Sequence, residues 1–592
     1  MKRTCLLVLL TVSALLLGWH LHIHPDYAST PAPPPAPAPQ ASVLLVPLDG
    51  RPPCRQLIID SGAMAGIDIV TPPDELRDYY SQPGDTADLR PWLQAHLAGQ
   101  QAAILSIDQL LYGGLLAARE NTATPAQIAD LCDYLRALHA AHPDVPLYAF
   151  SILPRLTPQD GIDGYQERRD LVRYSRLRGE QAAGLPVDTD ELTRLEQAIP
   201  PASLARYLAH FAENRLLNEQ LSLLAQDGVL HLLVLGQDDG ERYSIPNIEK
   251  EALRTYLVGH GITAQQVCIT HGADEIALSL LARWYNEQQG YTPRIYVDYD
   301  QPASATRTMP YMAVDNATTA AEKIALLGGT SVTSPDDADC TLLIATRDNE
   351  QDTLDARAAT AQRLAAALQA GQRLALVDLS KHFTAEETVL PLLLQEQAPL
   401  LNLTAYAGWN TASNAIGTAT AQASLYLAAR RATRTTNSPA TPASTTTSPA
   451  SNTSNTTVTN ETIQATDTEP AAYYTEYQRI RLLTSRLLED YCYLKDGIAT
   501  VNDTLKKAGY ENTADLNLEQ NYRWATAMLQ RQTAEDTRQL LHAPALRQPF
   551  TLQLPDGAHA YCLRSLTSET SYPWPRTFEI HLTTTPCLEQ LP

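Results

Sequence analysis

Short β-branched or leucine-rich runs recur along the chain, and most end directly in an acid or a small polar cluster. Residues 42–48 (SVLLVPL) end in Asp49, residues 102–107 (AAILSI) in Asp108, and residues 147–153 (LYAFSIL) in Pro154 and Arg155. Residues 231–240 (HLLVLGQDDG) carry Asp238 and Asp239, and residues 266–270 (QVCIT) run into His271, Gly272, Ala273, Asp274 and Glu275. Residues 294–297 end in Asp298 and Tyr299, and residues 374–377 in Asp378. Runs without polar alternation suit strands covered on both faces. Helical patterns lie between them. In residues 124–142 the set Thr124, Pro125 and Gln127 makes a capping box with proline at the first helical position, and Ile128, Leu131, Leu135 and Leu138 form an apolar stripe. A second helix, residues 202–226, is expected to stop at Asp227 and Gly228, just before the paired acids. Strand and helix in alternation predict a parallel sheet. With about eight to ten strands before residue 410, the expected class is α/β with a (β/α) barrel-like parallel sheet, and an open doubly wound sheet is the competing architecture.

The rest of the chain divides by composition. Lys2 and Arg3 precede the apolar residues 4–19, a stretch long for a signal-peptide core and short for a membrane span of about 20 residues. Residues 1–29 are therefore read as an export segment, either cleaved near Ala28 or Ser29 or kept as an N-terminal membrane anchor. Residues 30–40 (TPAPPPAPAPQ) form a stiff Pro-rich linker. Residues 41–432 are the expected α/β catalytic domain. Residues 433–468 are so rich in Thr, Ser and Asn that they predict a disordered insert. Its Asn452, Asn455 and Asn460 would accept glycans only on a eukaryotic secretory route. In residues 469–592, a helical segment (473–542) and a small β layer (549–586) are expected to pack on the core.

At 592 residues and 44% hydrophobic content the chain can bury a large core. Its net charge of −22 argues against nucleic acid and against anionic lipid as partners, which leaves the N-terminal segment as the membrane contact. Seven cysteines beyond Cys5 show no CxxC and no metal-type spacing, so neither zinc nor another cofactor is expected. Cys132 and Cys268 read as buried free thiols, and pairing of Cys562 with Cys587 stays open.

Asp238 and Asp239 are the candidate catalytic residues. Two adjacent carboxyl groups at the end of a buried strand cannot both ionise freely, so one should have a raised pKa, and an acid beside a base is what proton transfer needs. An Asp-Asp-Gly solvated turn is the bland reading of the same residues. If the other run ends share that edge of the sheet, Asp49, Arg51, Asp108, Tyr112, Arg155 and His271 converge there as substrate-binding groups. Asp274, Glu275, Trp409, Asn410 and Asn414 would join them. Acids and amides bond hydroxyls and aromatic faces cover apolar sugar faces, so the set reads as a carbohydrate pocket. Local alternatives exist for several members. Asp274 and Glu275 would suit the first turn of a helix at 273–285, Asn410 or Asn414 a helix cap, and His271 a loop hydrogen bond. Gly113 and Gly114 suit a tight turn, and Trp574 and Arg576 suit domain packing. Three function classes follow: a glycoside hydrolase; a metal-dependent hydrolase or transferase holding Mg²⁺ or Ca²⁺ on Asp49, Asp108, Asp238 and Asp239; and a non-catalytic envelope glycan-binding protein.

Seven segments carry a family resemblance: VPLDGRP (46–52), SIDQLLYGGLLAAR (106–119), LGQDDGE (235–241), GADEIALSLLAR (272–283), YAGWNTASNAIGTA (406–419), RLLEDYCY (486–493) and YPWPRTFEI (572–580). In these the chain resembles the bacterial family described as domain of unknown function 4127, over about residues 42–582. Where that family's first motif carries a second acid, this chain has Gly50. The resemblance implies no activity. The adjacent acids after an inner strand are also similar to substrate-assisted hexosaminidases of the O-GlcNAcase-like and hyaluronidase-like kind. There one acid orients the acetamido nucleophile and its neighbour protonates the leaving oxygen, which implies an N-acetylhexosamine-containing substrate.

Overall fold

The computed structural model describes residues 33–158, 165–347, 352–435 and 468–592. The expected export segment, the start of the linker and residues 436–467 of the insert lie outside the described residues. Among the described residues, no helix is long and apolar enough to cross a membrane.

Eleven parallel strands form two sheets. The first contains β1 (Ala41–Val46), β2 (Ile67–Val70), β3 (Ala102–Ser106), β4 (Leu147–Leu153), β5 (Leu232–Gln237) and β6 (Val267–His271), in the order β2-β1-β3-β4-β5-β6. The second contains β7 (Arg294–Tyr299), β8 (Thr330–Val332), β9 (Cys340–Arg347), β10 (Leu374–Ser380) and β11 (Ala405–Ala407), in the order β11-β10-β9-β7-β8. The α/β class and the parallel pairing follow the hydrophobic runs. The strands do not circle one barrel: they divide into two open sheets, each wound the same way. In each, the first strand has the second on one side and the third, fourth and fifth on the other, so the winding direction reverses beside β1 and again beside β7. Alternating runs specify helix-covered parallel strands, but strand order depends on where each crossover helix packs.

All seven runs become strands. Four further strands lie outside that pattern. β2 alternates, β8 and β11 are three residues long, and β9 (CTLLIATR) is a full buried strand that ends in Arg347 rather than an acid.

The two sheets share one core. Val43 and Leu45 of β1, with Ile104 of β3, belong to the same apolar cluster as Ile344 of β9 and Val377 of β10. Between them run the helices Ile276–Gln288 and Ala412–Thr435. The second of these is buried without a break from residue 412 to 429, and its many Ala, Ser, Thr and Gly residues suit a helix packed on all sides. On its other face the first sheet buries Leu44 and Val46 against the helices Thr86–His96 and Pro125–Ala141. The latter helix starts as expected, with Thr124 and Gln127 exchanging both capping-box bonds. The helix Pro201–Gln226 covers the same side.

Past residue 468 come the helix Thr468–Arg486, a π-helical stretch Leu487–Gly497, and the helices Ile498–Lys507 and Tyr522–His542. An antiparallel layer follows, β12 (Phe550–Leu554), β13 (Gly557–Ser571) and β14 (His581–Gln590). This C-terminal part packs on the outer face of the second sheet: Leu343 and Leu376 share a cluster with Leu483, Leu529 and Leu563. Cys562 and Cys587 lie on the neighbouring strands β13 and β14, opposite Glu589 and Ser565, and form no disulfide; all the described cysteines are free thiols.

Gly236, inside β5, shows how tightly the strand before the paired acids is enclosed. A Cβ there would come within 2.3 Å of Ile276 Cδ1 and 2.6 Å of Gly272 O. Gly236→Ala is expected to destabilise by about 1–3 kcal/mol, the usual range for overpacking. A melting temperature equal to that of the parent would show that β5 has slack.

Candidate functional site

The carboxyl ends of both sheets open into one cavity of about 610 Å³. From the first sheet it receives Arg51 after β1, Arg155 after β4, Gln237, Asp238 and Asp239 at the end of β5, and His271 to Asp274 at the end of β6. The second sheet contributes Phe383 after β10 and Asn410, Thr411, Ser413 and Asn414 around the start of the helix after β11. Arg119 enters from the helix Leu115–Glu120. Trp574, Arg576, Phe578 and Glu579 close the cavity from the segment between β13 and β14.

Asp238 and Asp239 are held unequally. Arg119 Nε donates to Asp238 Oδ2 at 3.0 Å and Arg119 Nη2 donates to the same oxygen, while Asp238 Oδ1 accepts the N–H of Asp239 at 2.8 Å. Burial alone would raise the Asp238 pKa, but Arg119 and Arg155 bring it below the ordinary carboxylate value. Asp239 moves the other way. Burial, then the neighbouring Asp238 charge, push it up to about 7, against the two arginines. The pair therefore holds a fixed anion beside an acid that keeps its proton to near neutrality.

Beside it lies a second charged cluster. Arg51 Nε donates to Asp49 Oδ2 at 2.8 Å and Arg51 Nη2 to Asp274 Oδ1 at 2.5 Å, and Glu579 Oε1 is 3.6 Å from Arg51 Nη1. Asn414 Nδ2 donates to the other oxygen of Asp274 at 3.2 Å. Burial raises the pKa of Asp274 and of Glu579, and Arg51 opposes it at both. Gln237 and Asn414 line the cavity with buried side-chain atoms that have no protein hydrogen bond: both amide atoms of Gln237 and Oδ1 of Asn414. Buried polar groups are rarely left so, and several around one cavity point to a ligand rich in hydrogen-bonding groups.

A family model matches residues 43–583, nearly the whole length. The chain belongs to the protein family of unknown function DUF4127. No curated protein and no solved structure matches it.

In this DUF4127 chain the cavity gathers eight of the thirteen expected site residues: Arg51, Arg155, Asp238 and Asp239 with His271, Asp274, Asn410 and Asn414. The other five stand behind it or elsewhere. Asp49 is wholly buried behind Arg51. Asp108 is turned into the sheet, where its Oδ2 accepts the N–H of Ile152 at 3.0 Å and burial pushes its pKa up to about 7. Tyr112 donates its hydroxyl to Glu213, outside the cavity lining. Trp409 is buried against Phe578, ring centroids 6.1 Å apart. Glu275 forms a buried ion pair with Lys323 at 2.5 Å.

Local alternatives also resolve. Asp274 and Glu275 are not first-turn residues, because the helix begins at Ile276 with Glu275 as its N-cap. His271 is the last residue of β6, with Nδ1 2.8 Å from Glu322 Oε2 and Nε2 3.0 Å from Lys250 Nζ. Burial lowers its pKa, so it is held as a neutral ring between two partners. Gly113 (φ 83°) and Gly114 (φ 121°) make the expected tight turn, in backbone that side chains disfavour. Trp574 and Arg576 do more than pack: both line the cavity, and Arg576 Nε lies 3.0 Å from Glu579 Oε2.

The oxygen set proposed for Mg²⁺ or Ca²⁺ does not assemble. Asp49 is taken by Arg51, Asp108 by the backbone of β4 and Asp238 by Arg119. Among the described residues the group with metal-ligand spacing is Asp49, Cys54 and Asp274, and there the Arg51 guanidinium already bridges the two carboxylates. That donor set fits a fixed arginine better than a divalent ion.

The residues missed by sequence reasoning are Arg119, Gln237, Tyr311, Phe383, Phe578 and Glu579. Arg119 closes the segment 106–119, Gln237 directly precedes the paired acids, and Phe578 and Glu579 stand just before the end of the segment 572–580, so three of the seven family-like segments held the signal.

Proposed function

We propose that this protein is a glycoside hydrolase in which Asp239 is the proton donor and Asp238 the fixed anion beside it. The observation that carries the reading is the unequal pair itself, set in a cavity lined by the unpartnered Gln237 amide, the free Asn414 Oδ1 and the rings of Trp574, Phe383 and Phe578. Such a lining suits a ligand with hydroxyl edges and apolar ring faces. In the proposed step Asp239 passes its proton to the glycosidic oxygen as the bond to the anomeric carbon breaks. The released Asp239 carboxylate then takes a proton from the water that completes hydrolysis, which restores the acid. Asp238 keeps its charge throughout because Arg119 is bonded to it.

The substrate class we favour is an N-acetylhexosamine-containing glycan. Two adjacent acids with unequal roles are similar to the pair in substrate-assisted hexosaminidases, where one acid orients the acetamido nucleophile and its neighbour protonates the leaving oxygen. Asp238 Oδ1, which accepts a single backbone N–H, has an acceptor position left for an acetamido N–H.

The test is to screen purified residues 41–592 against nitrophenyl glycosides and cell-wall fragments, with N-acetylhexosaminides as the first set. Turnover of a glycoside by the parent and its loss in Asp239→Asn are expected. A parent inert on every glycoside would remove the reading, and so would an Asp239→Asn variant as active as the parent.

We place the protein outside the cytoplasm, on the apolar residues 4–19 behind Lys2 and Arg3. Residues 1–41 fused to a reporter that works only after export should give signal. A silent reporter in a verified fusion would exclude export through this segment.

A further inference from the structure

Four non-glycine residues among those described have a positive φ: Tyr80 (54°), Tyr311 (65°), Phe383 (58°) and Asn410 (57°). Three of them line the central cavity, and Tyr80 holds its ring 5.9 Å from that of Trp574, which also lines it. Left-handed backbone is unfavourable for bulky side chains and persists only where the surroundings over-determine it, a condition met most often at binding sites.

What holds Tyr311 there is on the opposite side of the cleft. Its carbonyl accepts the N–H of Gly240 at 3.1 Å, which ties the segment after β7 to the residue that directly follows Asp239. The side chain of Tyr311 stands in the cavity wall yet is 55% exposed. Phe383 lies across from it, with ring centroids 6.4 Å apart and planes inclined at 40°. Lys495 Nζ is 5.2 Å from the Phe383 centroid and fixes that ring by a cation–π contact. Two tilted aromatic rings held at set backbone angles, with the Gln237 and Asn410 amides lining the same cavity, match a ring that is apolar on its faces and polar on its edges.

Resting on the glycosidase reading, we infer that Tyr311 and Phe383 form a stacking platform for the pyranose ring on the leaving-group side of the scissile bond. A proton donor touches the oxygen that departs. The aromatic residue anchored one position beyond Asp239 is therefore the one placed to hold the departing sugar.

The platform predicts a selective kinetic defect. Parent, Tyr311→Ala and Tyr311→Phe are compared on two substrates with the same glycone, an oligosaccharide and the methyl glycoside, which has no second ring. Tyr311→Ala should raise KM for the oligosaccharide about tenfold with a smaller change in kcat, as expected for one lost aromatic contact. It should leave the methyl glycoside close to parental values, and Tyr311→Phe should behave as the parent on both. Unaltered KM for the oligosaccharide in Tyr311→Ala, or equal defects on both substrates, would overturn the platform and leave the glycosidase reading standing. A parent that cleaves neither substrate overturns both. Should Tyr311→Ala melt at a lower temperature and lose all activity, Phe383→Leu supplies the same comparison with the same two outcomes.

Discussion

Asp239→Asn is expected to lower turnover on the order of 10²-fold or more, because a positioned general acid contributes about that much. Folding should survive, since amide and acid are nearly isosteric. The pH dependence separates this role from a structural one. Asp239 keeps its proton until about pH 7, so parental activity should fall as pH rises through that value. Asp238→Asn removes the charge that helps hold that proton, and it releases Arg119, whose charge favours the ionised form of Asp239. Both changes lower the Asp239 pKa, so the alkaline limb in Asp238→Asn should move to lower pH. Stability follows the same linkage with its own sign. An acid whose folded pKa is raised contributes stability below its unfolded value and loses it as pH climbs through the folded one. Asp239→Asn lacks that loss and should melt no lower than the parent at pH 8. Asp298→Asn is the control, since that carboxylate pairs with Arg363 and does not line the cavity. Parental rates in both Asp238→Asn and Asp239→Asn would end the catalytic reading, as would an alkaline limb unmoved in Asp238→Asn.

Lys323→Met is expected to produce the largest loss of stability, about 3–5 kcal/mol, which is typical when one partner of a buried ion pair is removed. Lys323 and Glu275 meet at 2.5 Å with side chains only 1% exposed. Lys323 also donates to Thr270 Oγ1 at 3.0 Å and to the carbonyl of His271, so it ties β6 to the helix Asn316–Leu326. The site around Glu275 has no room to adjust. A Cβ on Gly417 would lie 2.4 Å from Glu275 Cγ, and one on Gly272 would lie 2.1 Å from Glu275 Oε1. Lys323→Met therefore leaves a buried carboxylate without its cation in a closely packed space and should lower the melting temperature sharply. Adding Glu275→Gln removes the orphaned charge and should recover part of the loss. A single variant that melts with the parent, or a double variant that melts below the single one, would show that the pair is not what holds this junction.

The long apolar runs already carried the α/β class, since β4 (LYAFSIL) and β5 (LLVLGQ) are buried on both faces and no other setting suits them. The capping box at Thr124 and Gln127 needed only local chemistry, and it formed as written. So did the placement of Asp238 and Asp239 at the end of a buried strand, because the residues that terminate a run are set by the run itself. Which groups meet them was decided elsewhere. Arg119 reaches Asp238 from 119 residues away, and Arg51 reaches Asp274 from 223. Neither pairing has a local signal, since each depends on the order of the strands that bring the two residues together. Asp49 and Asp108 share the same run-end pattern, yet one supports Arg51 and the other caps the backbone of β4, because each side chain takes the nearest partner the packed sheet offers. What the sequence determined by itself was seven of the eleven parallel strands with the polar residues that end them, and the helix starts that rest on local capping, through periodicity and local hydrogen bonding. The two-sheet winding, the cavity between their carboxyl ends and the unequal pKa values of the pair were decided only by the tertiary structure, because burial and long-range charge pairing exist only once the chain has packed.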